Sequence, residues 1–369
     1  MKLFLPFFLF ISQNIFAADG LNPFKFQYVV EPGTQAQLTN MPRVRSQDSF
    51  GICYAFAASV LFDEANCANK QGTDCASMSD DQKVSPIDLA RFSVNLSEDK
   101  DSRDRYSYEG LKEGGSAALA LYNAKNTQHN ARESCAPFDH LVAKTKDPNE
   151  AQKIELAMWK KFQDSYETYK KKSKECVACG LEYATAKSQE LKDQFNLKTS
   201  NQEILQAFAQ DTYNKFLDTL LVPEKCWEWR DAIELNGGWG LKTYPQVGEK
   251  SDYNQMLAMI KKNLANKRPM AFAFCTQEPL TVKSIKECNE AKNASGTITG
   301  FGHEVVIKGY RRVCKVNAGK TTKECYDAVQ VQNSWGQSWQ NENDDGWVDA
   351  KQLLDRSFYE KQTLTWLER

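Results

Sequence analysis

The run CYAFAASVLFDEANC, Cys53 to Cys67, spaces alanine and leucine as a helix does and holds almost no β-branched residues, so it predicts a helix starting near Cys53. Helical periodicity returns after the Ser-Pro pair in PIDLARFSVNL and again after EGGS in EGGSAALALYNAKN, predicting second and third helices. From about residue 140 to 234 the pattern changes: there is a single glycine, Lys and Glu are frequent, and NEAQKIELAMWKKFQDSYETYKKK and NQEILQAFAQDTYNKFLDTLL carry long helical patterns. That stretch reads as an inserted helical hairpin or small bundle, with its KKKSK run a solvated helix face. From 235 to 369 the pattern turns to extended runs, RPMAFAFC, HEVVIKGY, DAVQVQNSW and GWVDA, punctuated by Tyr, Trp and Gly as in antiparallel sheet. Helices first and strands last predict an α+β protein of two lobes, with residues 19–139 helical, 140–234 inserted and 235–369 rich in strand.

The first eighteen residues stand outside that plan. Lys2, a short apolar region and small residues up to Ala18 read as a secretory signal, too short to span a bilayer, and no later segment is long and apolar enough to do so. With 369 residues, a net charge of -1 and 41% hydrophobic residues, the chain can bury a large core and calls for no nucleic-acid or membrane surface. The expected location is secreted or periplasmic; the sequons at Asn95 and Asn293 would matter only on a eukaryotic secretory route.

Export makes the 11 cysteines informative, because in an oxidising compartment most should pair and an odd number leaves one over. Parity alone does not say which. Cys67 with Cys75 and Cys314 with Cys325 each flank a short polar loop containing glycine and are expected to pair, with Cys275 and Cys288 a third pair. Cys135, Cys176, Cys179 and Cys226 would then pair among themselves and tie the insertion to the helical lobe. The CVAC pair at Cys176 and Cys179 is half a zinc site with no second half, so disulfide is preferred and no metal or other cofactor is expected.

Cys53 is left as the odd cysteine by that division, and its position suits a nucleophile. A thiol attacks carbonyl carbon as thiolate, and a helix start together with a nearby histidine favours that anion. Of the three histidines, His129 and His140 sit in polar, loop-like surroundings, whereas His303 in GFGHEVVIKGY opens a strand.

These segments resemble the papain-like cysteine peptidases. Gln47, six positions before Cys53, with Gly51, Tyr54, Ala55 and Phe56, is similar to that family's nucleophile segment, and GHEVVIKGY to its histidine segment. NSWG from Asn333, followed by Gly346 and Trp347, resembles its asparagine segment, and EGGSAAL its substrate-binding glycine pair. ESCAPF and RPMAFAF fit two further landmarks, and all six fall in the family's order. Each alone is ordinary: a cysteine in an Ala-Phe-rich helix is usually core, and Asn-Ser-Trp-Gly can be a turn with a packed indole.

The resemblance implies a papain-like two-lobed fold, with a helical N-terminal lobe and an antiparallel, β-barrel-like C-terminal lobe interrupted by the helical insertion. It makes Cys53 the nucleophile, His303 its base, Asn333 the acceptor that orients the ring, and Gln47 with the Cys53 N–H the oxyanion hole. Trp335 would shield the His303–Asn333 bond, while Gly114 and Gly115 would pair with an extended substrate. Ala117, Ala273, Phe301 and Gly302 would line the pocket for the second side chain before the scissile bond; none is charged, so an apolar side chain is expected there.

Departures from the family are equally specific. Phe50 stands where a half-cystine is usual, and its partner before the glycine pair is replaced by Lys112 or Glu113. Tyr54 replaces tryptophan. His303 and Asn333 follow Cys53 by 250 and 280 residues, stretched by the insertion and by the hairpin VCKVNAGKTTKECYDAV. Residues 19–46 are too few for a long inhibitory propeptide, which makes the insertion a candidate restraint across one end of the cleft. The expected activity is endopeptidase cleavage of protein or peptide substrates by a bacterial-like secreted member. The alternatives are a catalytically silent binding protein on the same fold, or an exopeptidase or acyl transferase using the same thiol.

Overall fold

Folding of the first lobe centres on a helix buried along almost its whole length. The computed structural model describes residues 21, 23–68, 70, 72–91, 110–111, 113–127, 129–139, 141, 148–228, 230–235, 238–276, 288, 302–317, 319–357 and 363–368. The signal segment 1–18, His140, Phe301, Asn95, Asn293 and the end of PIDLARFSVNL lie outside the described residues.

The helices are α1 (Cys53–Ala68), α2 (Pro86–Ala90), α3 (Ala117–Thr127), α4 (Pro148–Glu175), α5 (Val177–Phe195), α6 (Asn201–Ala209), α7 (Tyr213–Leu221), α8 (Tyr253–Ala265), α9 (Gly336–Glu342) and α10 (Ala350–Leu354). Helix α1 begins at Cys53, where the sequence puts it, and buries both polar and apolar side chains because α2, α3 and the sheet surround it. The single helical pattern from Asn201 to Leu221 is two helices. The Thr212 side chain accepts the Lys215 N–H as the N-cap of α7, and Gln210, with extended backbone, ends α6. Helix α8 is hidden in the sequence by the strand-rich character of its neighbourhood; its signal is the Asp252–Gln255 capping box.

The strands are β1 (Tyr28–Val30), β2 (Ala36–Gln37), β3 (Asn130–Ala131), β4 (Ala232–Ile233), β5 (Gly240–Tyr244), β6 (Met270–Cys275), β7 (Gly302–Asn317), β8 (Lys320–Gln332), β9 (Trp347–Asp349) and β10 (Leu364–Glu368). Eight of them form one antiparallel sheet in the order β5-β10-β6-β7-β8-β9, with β1 and β2 also paired to β7; β3 and β4 pair separately. The barrel-like expectation is corrected here. Among the described residues nothing pairs the two path ends, β5 and β9, so the sheet stays open.

Side-chain alternation along β6 and β7 divides two cores. Ala271 and Val306 face α1 and the helical core, whereas Met270, Phe272, Phe274, Val305 and Ile307 pack with Met256, Leu257, Ile260 and Leu264 of α8. Met158, Phe162 and Tyr166 of α4, with Ala184 and Leu191 of α5, belong to the same core as α1. The inserted helices therefore share the first lobe's hydrophobic interior.

Cysteine pairing follows the expected plan for three pairs, Cys67–Cys75, Cys275–Cys288 and Cys314–Cys325. The other four do pair among themselves, but only Cys135–Cys226 ties the insertion to the first lobe; Cys176–Cys179 closes a loop within it. Cys53 is the free cysteine.

Candidate active site

Cys53 is the first residue of α1 and is 9% exposed. Backbone groups of Glu304, Tyr54 and Cys53 itself favour its thiolate, but burial, aided by the Glu304 carboxyl, pushes the thiol up to about 12. The Glu304 backbone that hydrogen-bonds the thiol belongs to the start of β7.

His303 opens β7 and Asn333 follows β8, so antiparallel pairing of those strands brings the two together. His303 Nε2 lies 2.8 Å from Asn333 Oδ1. With the amide oxygen as acceptor, Nε2 carries the proton, and Nδ1 is the ring's lone-pair nitrogen. The indole of Trp335 is stacked on the imidazole, while Phe274 and Trp339 meet this pair edge-on. Burial drives His303 down to about 4, against the opposing pull of the Asn333 bond. In the closed site, then, both thiol and imidazole favour their neutral forms.

Asn333 is itself held. Its backbone N–H donates to Gln340 Oε1 at 3.3 Å, and the fully buried Gln340 amide donates to Val331 O at 2.7 Å and Asp345 O at 2.8 Å. No motif in the sequence points to Gln340, because only the fold of α9 back onto β8 gives it this role. Gly346 is tied to the same place. Its φ is +80°, and a Cβ there would collide with Val331 O and the Gln340 side chain.

Gln47 is fixed from both sides. Its N–H donates to Ser334 O at 2.7 Å, its side-chain oxygen accepts from the Ser334 hydroxyl at 2.6 Å, and its Nε2 donates to Phe50 O at 3.1 Å. A carboxamide has two N–H hydrogens, so one remains beyond the Phe50 bond among the described residues.

Gly114 and Gly115 are both exposed. Gly114 has φ +76° and open space on its side-chain face, with no described atom within 4 Å of where a Cβ would stand, and its N–H donates to Gly51 O at 2.8 Å. Glu113 Oε1 in turn accepts the Gly51 N–H at 2.9 Å.

Beside Ala117 and Ala273, expected to line an uncharged pocket, the structure sets a carboxylate. Glu304 pairs in register with Ala273 and shares its face, and its Oε2 accepts the Ala117 N–H at 3.1 Å. The side chain is half-buried by surface, yet enough protein surrounds it for burial to push the carboxyl up to about 7. In the sequence Glu304 is concealed inside the histidine segment, and only the β6–β7 register sets it opposite Ala273.

His129 is not brought to this site; it lines a separate cavity of about 650 Å³ with Cys67, Arg132 and Arg230. Among the described residues no group of three or more His, Cys, Asp or Glu side chains is placed to hold a metal ion, and no helix is long and apolar enough to cross a membrane.

No family model matches the chain, and no curated protein matches it. Among solved structures it is similar to SERA5E from Plasmodium falciparum, at 14% identity and a TM-score of 0.37, covering 89% of this chain and 90% of that one. It is also similar to a recombinant stem bromelain precursor, at 11% identity and TM-score 0.36, covering 91% of this chain and 70% of that one. A third is xylellain, a cysteine protease from Xylella fastidiosa, at 12% identity and TM-score 0.36, covering 95% and 96%. Likenesses of this size leave the family unassigned.

Proposed function

We infer that the chain is a papain-like cysteine endopeptidase, exported and acting on protein or peptide substrates without a cofactor. The observation that carries this reading is the buried His303–Asn333 hydrogen bond under Trp335, and a free cysteine at the start of α1 supports it. In the proposed reaction the Cys53 thiol passes its proton to His303 Nδ1 as sulfur attacks the substrate carbonyl carbon. The resulting oxyanion accepts from the remaining Gln47 Nε2 hydrogen and the Cys53 N–H, where one such donor is typically worth about 3 kcal/mol. The imidazolium then protonates the leaving amine, the C–N bond breaks, and an acyl-enzyme thioester remains. Water, deprotonated by neutral His303, attacks the thioester; the imidazolium returns its proton to sulfur and the acid is released.

Glu304 replaces the apolar preference with a charge-sensitive one: when ionised, it favours a cationic substrate side chain beside Ala117 and Ala273. A catalytically silent binding protein is the second reading, because burial of Cys53 and His303 favours the neutral form of each. An epoxide that traps thiolates separates the two. The peptidase reading expects one adduct, mapped to Cys53, whereas a native protein that gains none would support the silent reading.

A further inference from the structure

Between Gln47 and Cys53 runs a short loop that must be held for the proposed oxyanion site to keep its shape. Asp48 in it has φ +53°, a left-handed conformation unusual for a non-glycine residue, so the loop depends on its surroundings. Its Gln47 end is tied to Ser334, and Gly51 is tied to Glu113 and Gly114. The middle is held by the insertion. Glu155 of α4, only 3% exposed, accepts on one oxygen the Ser49 N–H at 2.7 Å, the Ser49 hydroxyl at 2.9 Å and the Trp159 indole N–H at 3.1 Å. Trp159, one turn on, stacks on Phe50 with ring centroids 4.2 Å apart and planes 13° from parallel. The aromatic contacts continue inward, Trp159 to Phe162 at 5.9 Å and Phe162 to Phe195 of α5 at 5.0 Å, so Phe50 is anchored in the core of the insertion.

We propose that α4 of the insertion clamps the loop before the nucleophile, with Glu155 and Trp159 as positioning residues for Gln47 and Cys53. Glu155 fixes the Ser49 backbone, and Trp159 fixes the Phe50 side chain, whose carbonyl in turn accepts the Gln47 amide. Neither residue reaches the reacting atoms; each acts through the loop. The clamp takes the place of the covalent link that Phe50 and the residues before the glycine pair do not make. This inference rests on the peptidase reading for what the loop serves, while the clamp itself is measurable without turnover.

The test uses the full-length oxidised protein at pH 8, where Glu155, pushed up to about 7 by burial and by Asp48, is ionised. Hydrogen exchange across residues 47–52 is followed in wild type, Glu155→Ala, Trp159→Ala and Glu155→Gln, with α5 as an internal control. Both alanine variants are expected to speed exchange in the loop about tenfold while α5 is unchanged. On a peptide substrate, kcat should fall about 10- to 100-fold with KM held within about threefold. Glu155→Gln, which keeps an acceptor oxygen, should recover most of both. Unchanged loop exchange in folded alanine variants would overturn the clamp. So would equal loosening of α5, or failure of the Gln variant to recover. If the alanine variants do not fold, Ser49→Ala decides: removing one hydroxyl should still speed loop exchange, and no change there overturns the proposal. An inactive wild type would count against the peptidase reading, and loop exchange would still decide the clamp.

Discussion

Trp335 lies flat on the imidazole of His303, ring centroids 4.4 Å apart and planes 16° from parallel, over the ring that meets Asn333. The stack removes water from a hydrogen bond whose strength depends on that exclusion, and burial is also the leading cause of the low pKa of His303.

Trp335→Ala should therefore raise the His303 pKa from about 4 toward its ordinary 6.5, because the cause being removed is burial. The acid limb of the kcat/KM profile, or the imidazole proton shift in NMR, reads this directly. A limb that stays in place would show that the indole does not set the desolvation.

Asn333→Ala should reduce kcat without abolishing it, since Cys53 and His303 survive and only the ring's orientation is lost. The loss should be smaller than that on removing Cys53 or His303, as for other orienting partners. Gln340→Ala, which frees the Asn333 backbone N–H, should produce a smaller loss of the same kind.

These positions are unequally legible in the sequence. The α1 start and three disulfides are readable because each is a local pattern, and so is the meeting of His303 with Asn333 at two strand ends. Glu304, Gln340, Glu155 and Trp159 are not, because each acquires its partner from a segment distant in the chain or folded back by a turn. The division between α6 and α7 is hidden for a different reason: apolar periodicity runs through Gln210–Thr212, and only the Thr212 cap breaks it. The open sheet is unreadable because strand patterns give face alternation but no closure.

On the peptidase reading, Glu304 should give the site a pH-dependent preference. With its carboxyl at about 7, raised above the ordinary value, it is ionised at pH 8 and largely neutral at pH 5.5. Preference for Arg or Lys over Leu at the second position before the scissile bond should rise across that interval and be flat in Glu304→Gln. The stability sign is opposite: a raised carboxyl favours folding below its folded value and loses that contribution as pH rises from about 4.5 through 7. Glu304→Gln should therefore gain stability relative to wild type as pH goes from 5 to 8, read by denaturant midpoints.

Gly346→Ala should destabilise the protein by about 1–3 kcal/mol, because it combines a left-handed backbone with a collision at Val331 O. Activity per folded molecule should fall too, since Gln340 and hence Asn333 must shift. Urea unfolding followed by tryptophan fluorescence measures the first, and turnover at low urea measures the second.

The central claim is that Cys53 is a nucleophile that cleaves internal peptide bonds. Mass spectrometry of an unstructured peptide library incubated with wild type and with Cys53→Ala tests it most directly. Internal cleavage by wild type, with none from the equally folded Cys53→Ala, is the expected result; cleavage that persists in Cys53→Ala, or a folded wild type that cleaves nothing, would contradict it.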